Sequence, residues 1–357
     1  MNFTTKSRKS NIELLRIVLF YLVICIHVTS VGLSIQDTYT FWGFNYSYAM
    51  FMRIFSNIAV NCFVLITGYL LAQKNVSVKK YLTNIFAPFI LYIPMYGQLY
   101  WSQGQHNPIV MIKDFCSGVG HFYHLWYIIV LCFFSFLVPY LNKLINVINR
   151  KQHLILTLIL IGYASFAASF ISITGLGLFQ ILSGNRIILF TCLYMIGAYL
   201  NKYGFKFNKY YAVTLYILIV ACITFIAYLN QLKLSDLRIM DYSNIVFILL
   251  SILLFIFFIQ INIENKIINY IGKLTFGAYI IHVYYITVLQ KNLPFVAMLK
   301  KPNYFLYDIS YILMVFVFSI FTESVRYHLG KFFIRFYLQL NTHIKYRNGM
   351  KNNDKPI

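Results

Sequence analysis

The amino-acid sequence predicts an all-α integral membrane protein: a single bundle of about ten transmembrane helices with both termini in the cytoplasm. Of its 357 residues, 60% are hydrophobic and only 11% are charged, whereas soluble domains average about 45 to 50% and about 25%. The mean hydropathy is +0.69. A soluble fold could not bury so much apolar surface, so the lipid bilayer is the expected surroundings of the chain.

Ten apolar runs supply the predicted spans, since a helix needs about 20 mostly apolar residues to cross a bilayer. The predicted spans are residues 12–35, 47–72, 80–101, 122–141, 153–173, 185–201, 210–229, 244–261, 268–290 and 304–324. The first run begins like a signal peptide, but it contains charged residues and lacks a small-residue cleavage site. We therefore expect it to remain as the first helix.

The bundle is expected to fill residues 1–340 and to be followed by a polar, basic cytoplasmic tail over 341–357. After about Arg347 the tail is polar enough that we expect no fixed structure there. No soluble appendage or internal repeat is visible in the sequence. Any chemistry is therefore expected within the bundle or at its two faces.

The formal charge of +21 is arranged as short basic clusters between the apolar runs. Alternate connections are rich in Lys and Arg, which is typical of cytoplasmic loops and sets the predicted orientation. The connection over 291–303 carries three lysines on the predicted outer side and departs from this rule. Because no Gly-rich phosphate loop or repeated basic and aromatic patch occurs, nucleic acid is not an expected partner.

The cysteines predict neither a disulfide framework nor a metal site. Six are present, five of them within apolar runs, and none forms a CxxC pair. Buried cysteine usually serves as a small apolar side chain. We therefore expect no metal and no catalytic thiol.

The first predicted helix carries a polar stripe that indicates function. Arg16 and His27 are eleven residues apart, so they share one helix face and lie roughly 16 Å apart along the axis. A charge at membrane depth costs on the order of 3 kcal/mol, and imidazole is the side chain best suited to exchange a proton near neutral pH. The structural alternative is that Arg16 reaches the headgroups, paired with Glu13, while His27 is a neutral, hydrogen-bonded histidine.

A second histidine is predicted at the same depth as His27. His282 follows Lys273 by nine residues in the ninth span, which places it roughly 14 Å from the cytoplasmic side. Matching depth suggests that both imidazoles face one cavity. A structural hydrogen bond from His282 to a neighbouring helix is the alternative.

The outer ends of the second and fourth spans supply candidate contacts for a substrate. His124, Trp126 and Tyr127 lie at the start of the fourth span, where aromatic side chains also collect simply because they suit the membrane interface. Without a carboxylate or cysteine nearby, a metal site at the histidine is not expected. Arg53 lies roughly 9 Å inside the second span, where it either binds an anionic group or extends to the headgroups.

Five segments together resemble the acyltransferase-3 family of bacterial membrane proteins. They are Asn11–Arg16 with His27 after ten intervening residues, Phe63–Leu71, His124–Tyr127 followed by Pro139, Met195–Leu200, and Ile271–His282. The resemblance covers almost the whole chain. It implies a multi-pass protein of the bacterial inner membrane that moves an acyl group, commonly acetyl from acetyl-CoA, to a hydroxyl of a cell-surface or lipid-linked polysaccharide such as capsule or O-antigen.

By residue, the resemblance assigns Arg16 and His27 to the arginine and histidine that family members need for activity. Members also tend to carry an arginine pair at the start of the third span, where this chain has Lys79 and Lys80. Lysine is a point charge and cannot form the bidentate fork of arginine with a phosphate. The departure weakens the assignment of donor binding to this position.

These inferences combine into one hypothesis with named sites. Acyl-CoA enters from the cytoplasm with its phosphates on Lys79, Lys80 and Arg16, and His27 deprotonates the sugar hydroxyl that attacks the thioester. The predicted catalytic residues are His27, Arg16, Glu13 and His282. The predicted substrate-binding residues are His124, Trp126, Tyr127 and Arg53.

Three rival functions remain open from the sequence. A transporter without chemistry would need helix breaks, for which Gly68, Pro88 and Gly175 are candidates. A sensor or assembly partner would tolerate replacement of His27. An unrelated membrane O-acyltransferase family would make the same kind of product on another fold.

Overall fold

The computed structural model describes residues 8–39, 43–117, 119–174, 186–292 and 301–353. For some of these residues the structure describes the backbone but not the side chain. They are 31–39, 334–353 and a few single positions, including Lys80. The fold is 85% helix, with no strand in the part of the chain described. Its helices, numbered α1 to α12 in chain order, are Ser10–Tyr39, Phe44–Ser56, Ala59–Leu71, Val78–Trp101, Pro108–Ser117, Trp126–Val147, Arg150–Thr174, Arg186–Tyr203, Lys209–Leu229, Ile245–Ile259, Lys266–Asn292 and Tyr304–Asn353.

Six helical segments within the described ranges are long and apolar enough to cross a membrane. They are Ser10–Ser30, Phe44–Leu71, Pro108–Val147, Lys209–Leu229, Lys266–Lys291 and Tyr304–Phe333. The other four predicted spans are also helical, as α4, α7, α8 and α10, and α10 is short at 15 residues. The count of ten spans and the cytoplasmic position of the termini stay predictions.

The second predicted span, residues 47–72, is two helices that are separated at Asn57 and Ile58. The Asn57 side chain donates from Nδ2 to the carbonyl oxygen of Met240 at 3.0 Å and accepts from Arg53 Nη1 at 2.7 Å. An asparagine side chain that bonds nearby polar groups favours a helix end over a helix interior. Hydropathy does not reveal this break because the residues around it are mostly apolar.

The last helix also differs from the sequence prediction. Helix α12 continues to Asn353, past the predicted span end near 324 and past Arg347, after which we expected no fixed structure. No proline interrupts the chain between 304 and 353, so the helical hydrogen-bond pattern is free to continue.

Helix α1 runs through the centre of the bundle. It contacts α2, α3, α10, α11 and α12, and Leu15, Leu19 and Ile24 on it are fully buried. A helix that is apolar on every side is expected at such a central position. In keeping with this position, Glu13 on α1 is buried and Arg16 and His27 are half-buried.

Helices α3 and α8 form a close contact through glycine. A Cβ atom on Gly68 would collide with the carbonyl oxygen of Tyr194, and one on Gly197 would collide with the carbonyl oxygen of Leu65. Small residues let membrane helices approach closely, where van der Waals contact replaces the hydrophobic driving force. Two of the sequence segments singled out above, Phe63–Leu71 and Met195–Leu200, therefore pack against each other.

Candidate functional site

Three histidines from distant parts of the chain meet in the bundle. His27 lies on α1, His282 on α11, and His124 in the short 3₁₀ helix Gly120–Leu125 that precedes α6. The ring centroids of His27 and His282 are 5.2 Å apart, and those of His124 and His282 are 5.1 Å apart. His124 and His282 are buried, while His27 is half-buried. We call these three residues the histidine cluster.

Hydrogen bonds to backbone carbonyls orient the two buried imidazoles. His282 Nδ1 donates to the carbonyl oxygen of Tyr279, and His124 Nε2 donates to that of Ile280 at 3.2 Å. Both carbonyls belong to α11, so one helix sets both rings. A neutral imidazole carries a single N–H, so these contacts assign the proton to Nδ1 of His282 and to Nε2 of His124.

The half-buried imidazole has a different partner. His27 Nδ1 lies 3.1 Å from the hydroxyl oxygen of Tyr123, which belongs to the same 3₁₀ helix as His124. The two rings meet edge to face at 5.1 Å. If the Tyr123 oxygen accepts from Nδ1–H, then Nε2 of His27 carries the free lone pair that a general base requires.

Arg16 and Glu13 form an ionic group at the N-terminal end of α1. Glu13 Oε1 accepts from Arg16 Nη1 at 3.0 Å and from Arg8 Nη1 at 2.9 Å. Glu13 is buried against Gly272, where a Cβ would contact the Glu13 side chain. The pairing expected between Arg16 and Glu13 is present, with Arg8 as a third member.

Arg16 lines a cavity of about 510 Å³, which we call the Arg16 cavity. Its charged lining residues are Arg8, Arg16, Lys273, Glu323 and Arg326. Its aromatic lining residues are Phe63, Tyr81, Tyr127, Phe276, Tyr279 and Tyr327. Four cations against one anion make this cavity suited to a phosphorylated ligand.

Tyr279 joins the cavity to the histidine cluster. Its ring lines the Arg16 cavity and lies 5.4 Å from the ring of His282 and 5.9 Å from that of His124. Tyr127 stands beside it at 5.8 Å in the same wall. The cavity and the cluster are therefore separated by a single layer of tyrosine rings.

A second set of polar contacts lies on the other side of His27. Arg53 donates from Nε to Ser30 Oγ at 2.9 Å and, as noted, from Nη1 to Asn57. Among the described residues it has no acidic partner. Its guanidinium is near enough to His27 to interact electrostatically.

The neighbouring Trp126 and Tyr127 point in different directions. Trp126 stacks near Tyr242 at 5.7 Å, and the Arg186 guanidinium lies 5.5 Å from the Trp126 centroid. Arg186 is itself paired with Asp241 at 3.1 Å. Trp126 thus belongs to the loop side of the bundle, whereas Tyr127, expected beside it, lines the Arg16 cavity.

The structure does not bring Lys79, the described member of the predicted lysine pair, to the Arg16 cavity. Lys79 lines a separate, largely apolar groove with Leu82, Phe86 and Phe136, and the Lys80 side chain lies outside the described residues. The cations that do line the Arg16 cavity beside Arg16 are Arg8, Lys273 and Arg326. The role predicted for Lys79 and Lys80 stays a prediction.

Sequence reasoning missed Tyr123 and Tyr279 as members of the site. Both are close in sequence to predicted site residues, since Tyr123 precedes His124 and Tyr279 is three residues before His282. Spacing of three on a helix places Tyr279 and His282 on one face, which was the available signal. Within the described ranges, no group of three or more His, Cys, Asp or Glu side chains has metal-site geometry.

Comparison with known proteins identifies the family of the chain. The sequence profile of the acyltransferase-3 family, described as an acyltransferase domain, matches residues 9–323. That range spans α1 to the middle of α12 and includes every member of the histidine cluster. No curated protein and no solved structure matches the chain. With a matched range that covers nearly the whole sequence and several apolar helices, the chain belongs to the acyltransferase-3 family and is a multi-pass membrane acyltransferase.

Proposed function

We propose that this protein is a membrane O-acyltransferase of the bacterial inner membrane that moves an acyl group, acetyl in the first instance, from acyl-CoA to a hydroxyl of a cell-surface or lipid-linked polysaccharide. One observation carries the proposal. A basic cavity and a histidine cluster lie back to back, with Tyr279 in contact with both. This arrangement separates the binding of a phosphorylated donor from proton transfer at a hydroxyl.

The Arg16 cavity is the proposed donor site. It opens at the N-terminal end of α1, which we assign to the cytoplasm, where acyl-CoA is available. Arg8, Arg16 and Lys273 supply the charge for the phosphates, and the volume of about 510 Å³ accepts the narrow pantetheine arm. The thioester would then lie against the wall formed by Tyr127 and Tyr279, next to the histidines.

His27 is the proposed general base. It is the least buried ring of the cluster and the one nearest Arg53 and Tyr123, on the side from which the sugar would arrive. The hydroxyl gives its proton to His27, its oxygen bonds to the acyl carbon, and the carbon–sulfur bond breaks. A base in hydrogen-bond reach contributes about 10² to 10⁴ in rate.

The sugar is proposed to contact the residues around the outer side of His27. Arg53 offers an unneutralised cation there, beside Ser30. Trp126, which packs against Tyr242, is proposed to contact a more distant part of the sugar chain. Direct transfer is the simpler route, because Cys25, the described thiol next to His27 on α1, is buried and, two residues away, points to a different helix face about 200° round the axis.

A transporter without chemistry is the second candidate, and the break between α2 and α3 favours it. Discontinuous helices with polar residues at the break occur at the binding sites of transporters. Arg53 and Asn57 lie beside this break. In that case the protein would carry a glycan or lipid-linked saccharide across the bilayer unchanged.

The deciding experiment compares surface glycan in a deletion strain that is complemented with wild type, His27→Ala, Arg16→Ala or His153→Gln at equal protein level. His153 is a buried histidine on α7, bonded to Met195 and outside the cluster, so it controls for loss of any buried imidazole. We expect ester-linked acyl groups with wild type and His153→Gln, and none with His27→Ala, while glycan export stays normal. Full acylation with His27→Ala would refute the catalytic assignment. Loss of export in the deletion strain would establish the transporter instead.

A further inference from the structure

One ring nitrogen of the histidine cluster is buried without a partner. Nε2 of His282 has no hydrogen-bond partner within the described residues. The opposite nitrogen of this ring already donates to the Tyr279 carbonyl of α11, so Nε2 is a bare acceptor. Buried polar atoms are nearly always satisfied in native proteins. A bare acceptor in this position points to a proton or donor that arrives during function.

The His282 ring lies between His27 and the wall of the Arg16 cavity. His282 contacts His27 on one side at 5.2 Å and Tyr279, the wall of the Arg16 cavity, on the other at 5.4 Å. Phe20 on α1 packs against His282 edge to face, with the two ring centroids 6.1 Å apart. No described carboxylate contacts the three rings, so no acid competes for the proton there.

We propose that His282 is the second proton-transfer residue of the reaction, taking the proton from His27 and returning it to the sulfur of the departing CoA. The inference rests on the proposed function. The hydroxyl O–H bond breaks and its proton passes to His27 while the new O–C bond forms and the C–S bond breaks. The proton then moves to the bare Nε2 of His282 and on to the thiolate. The products are the ester and CoA thiol, and both histidines end neutral.

The geometry explains why two histidines serve better than one. The acceptor hydroxyl approaches His27 from the Arg53 and Tyr123 side, whereas the thiolate leaves into the cavity behind Tyr279. A single imidazole at the position of His27 could not also reach the sulfur, because the Tyr279 ring lies between them. His282, held by the Tyr279 carbonyl, already lies between the two.

Asparagine at position 282 separates the structural bond from the bare nitrogen. In His282→Asn, the side-chain amide retains a donor near the Nδ1 position for the Tyr279 carbonyl, while the acceptor at Nε2 is lost. Deuterated acetyl groups are supplied to membrane vesicles of the native cells either as acetyl-CoA or as an acetyl aryl thioester, and ester-linked label in the glycan is measured. An aryl thiolate leaves without being protonated, so this donor does not need a general acid.

We expect His282→Asn to lose about 10²-fold in rate with acetyl-CoA, the range for general acid catalysis, and less than about tenfold with the aryl thioester. His27→Ala should be inactive with both donors. Equal loss with the two donors, or wild-type rates with acetyl-CoA, would overturn the proposal for His282. Activity of His27→Ala would instead overturn the proposed function.

Chemical rescue gives a second measurement that needs only acetyl-CoA. In His282→Ala, imidazoles of different pKa are added to fill the space left by the ring. We expect the restored rate to depend on the pKa of the added imidazole, because the imidazole transfers the proton. A purely structural role predicts rescue that is independent of the pKa, and either this result or the absence of rescue would overturn the assignment.

Discussion

Glu13 is a positioning residue for the arginines of the Arg16 cavity. One of its carboxylate oxygens accepts from both Arg8 and Arg16, and the other is buried without a partner. The carboxylate therefore holds two guanidinium groups at the edge of the cavity and neutralises only one of their two positive charges. Sequence spacing alone predicted the Arg16 pair but not the sharing with Arg8.

Glu13→Gln should weaken donor binding without unfolding the protein. The amide retains the size of the side chain but loses the charge that orients both arginines, so we expect the KM for acyl-CoA to rise by about tenfold, which corresponds to about 1.4 kcal/mol. Initial rates against acyl-CoA concentration measure this. Glu264→Gln, at an exposed position, is the control. An unchanged KM in Glu13→Gln would contradict the role.

Tyr123→Phe should lower the turnover while leaving donor binding intact. The substitution removes the only described hydrogen-bond partner of His27 Nδ1, so the ring loses the contact that directs Nε2 towards the substrate. We expect kcat to fall by about tenfold with little change in KM for acyl-CoA. Tyr140→Phe, on an exposed part of α6, is the matched control, and equal kcat in the two variants would refute the role of Tyr123.

At the scale of single residues, depth along a helix was the informative property of the sequence. It suggested that His27 and His282 face one cavity. Their rings are indeed neighbours, but neither lines the Arg16 cavity, from which the Tyr279 ring separates them. It placed His124 only at the outer interface, because an α-helix was assumed there. The 3₁₀ helix that begins at Gly120, with φ of 58°, instead turns His124 inward.

At the scale of the helix, α3 and α8 make a close backbone contact through two glycines. Gly68→Ala or Gly197→Ala would force a Cβ against a backbone carbonyl that cannot move without shifting a whole helix. Overpacking of this kind costs about 1 to 3 kcal/mol. We expect both variants to lose thermal stability in detergent, whereas Gly162→Ala, where nothing lies within 4 Å, should not. Equal melting temperatures for the three variants would show that the contact is not tight in the membrane.

Hydropathy predicts where helices lie but not where they break or end. Apolar length located a helix at each of the ten predicted spans. Apolar length did not predict the division of the second span at Asn57, because the Asn57 side chain there bonds to Met240, which is distant in sequence. The continuation of α12 to Asn353 escaped it too, since hydropathy reports lipid exposure and not helix propensity.

At the scale of the whole molecule, the positive charge of the loops predicts the orientation. Single cysteines placed at Lys206 and at Asp236, on opposite ends of α9, should react with a membrane-impermeant maleimide from opposite sides. We expect Asp236→Cys to be labelled in intact cells and Lys206→Cys only after the membrane is opened. The reverse pattern would invert the topology and with it the assignment of the Arg16 cavity to the cytoplasm.

The position of the histidine cluster in the chain has a consequence for biogenesis. His27 enters the membrane with the first helix, but its partner His282 follows about 250 residues later. At a synthesis rate of about 5 to 20 residues per second, the cluster stays incomplete for roughly 10 to 50 seconds. A nascent or truncated chain that lacks α11 therefore holds Arg16, His27 and His124 but neither His282 nor the Tyr279 side of the cavity wall. We expect such partly made copies to carry out no acyl transfer.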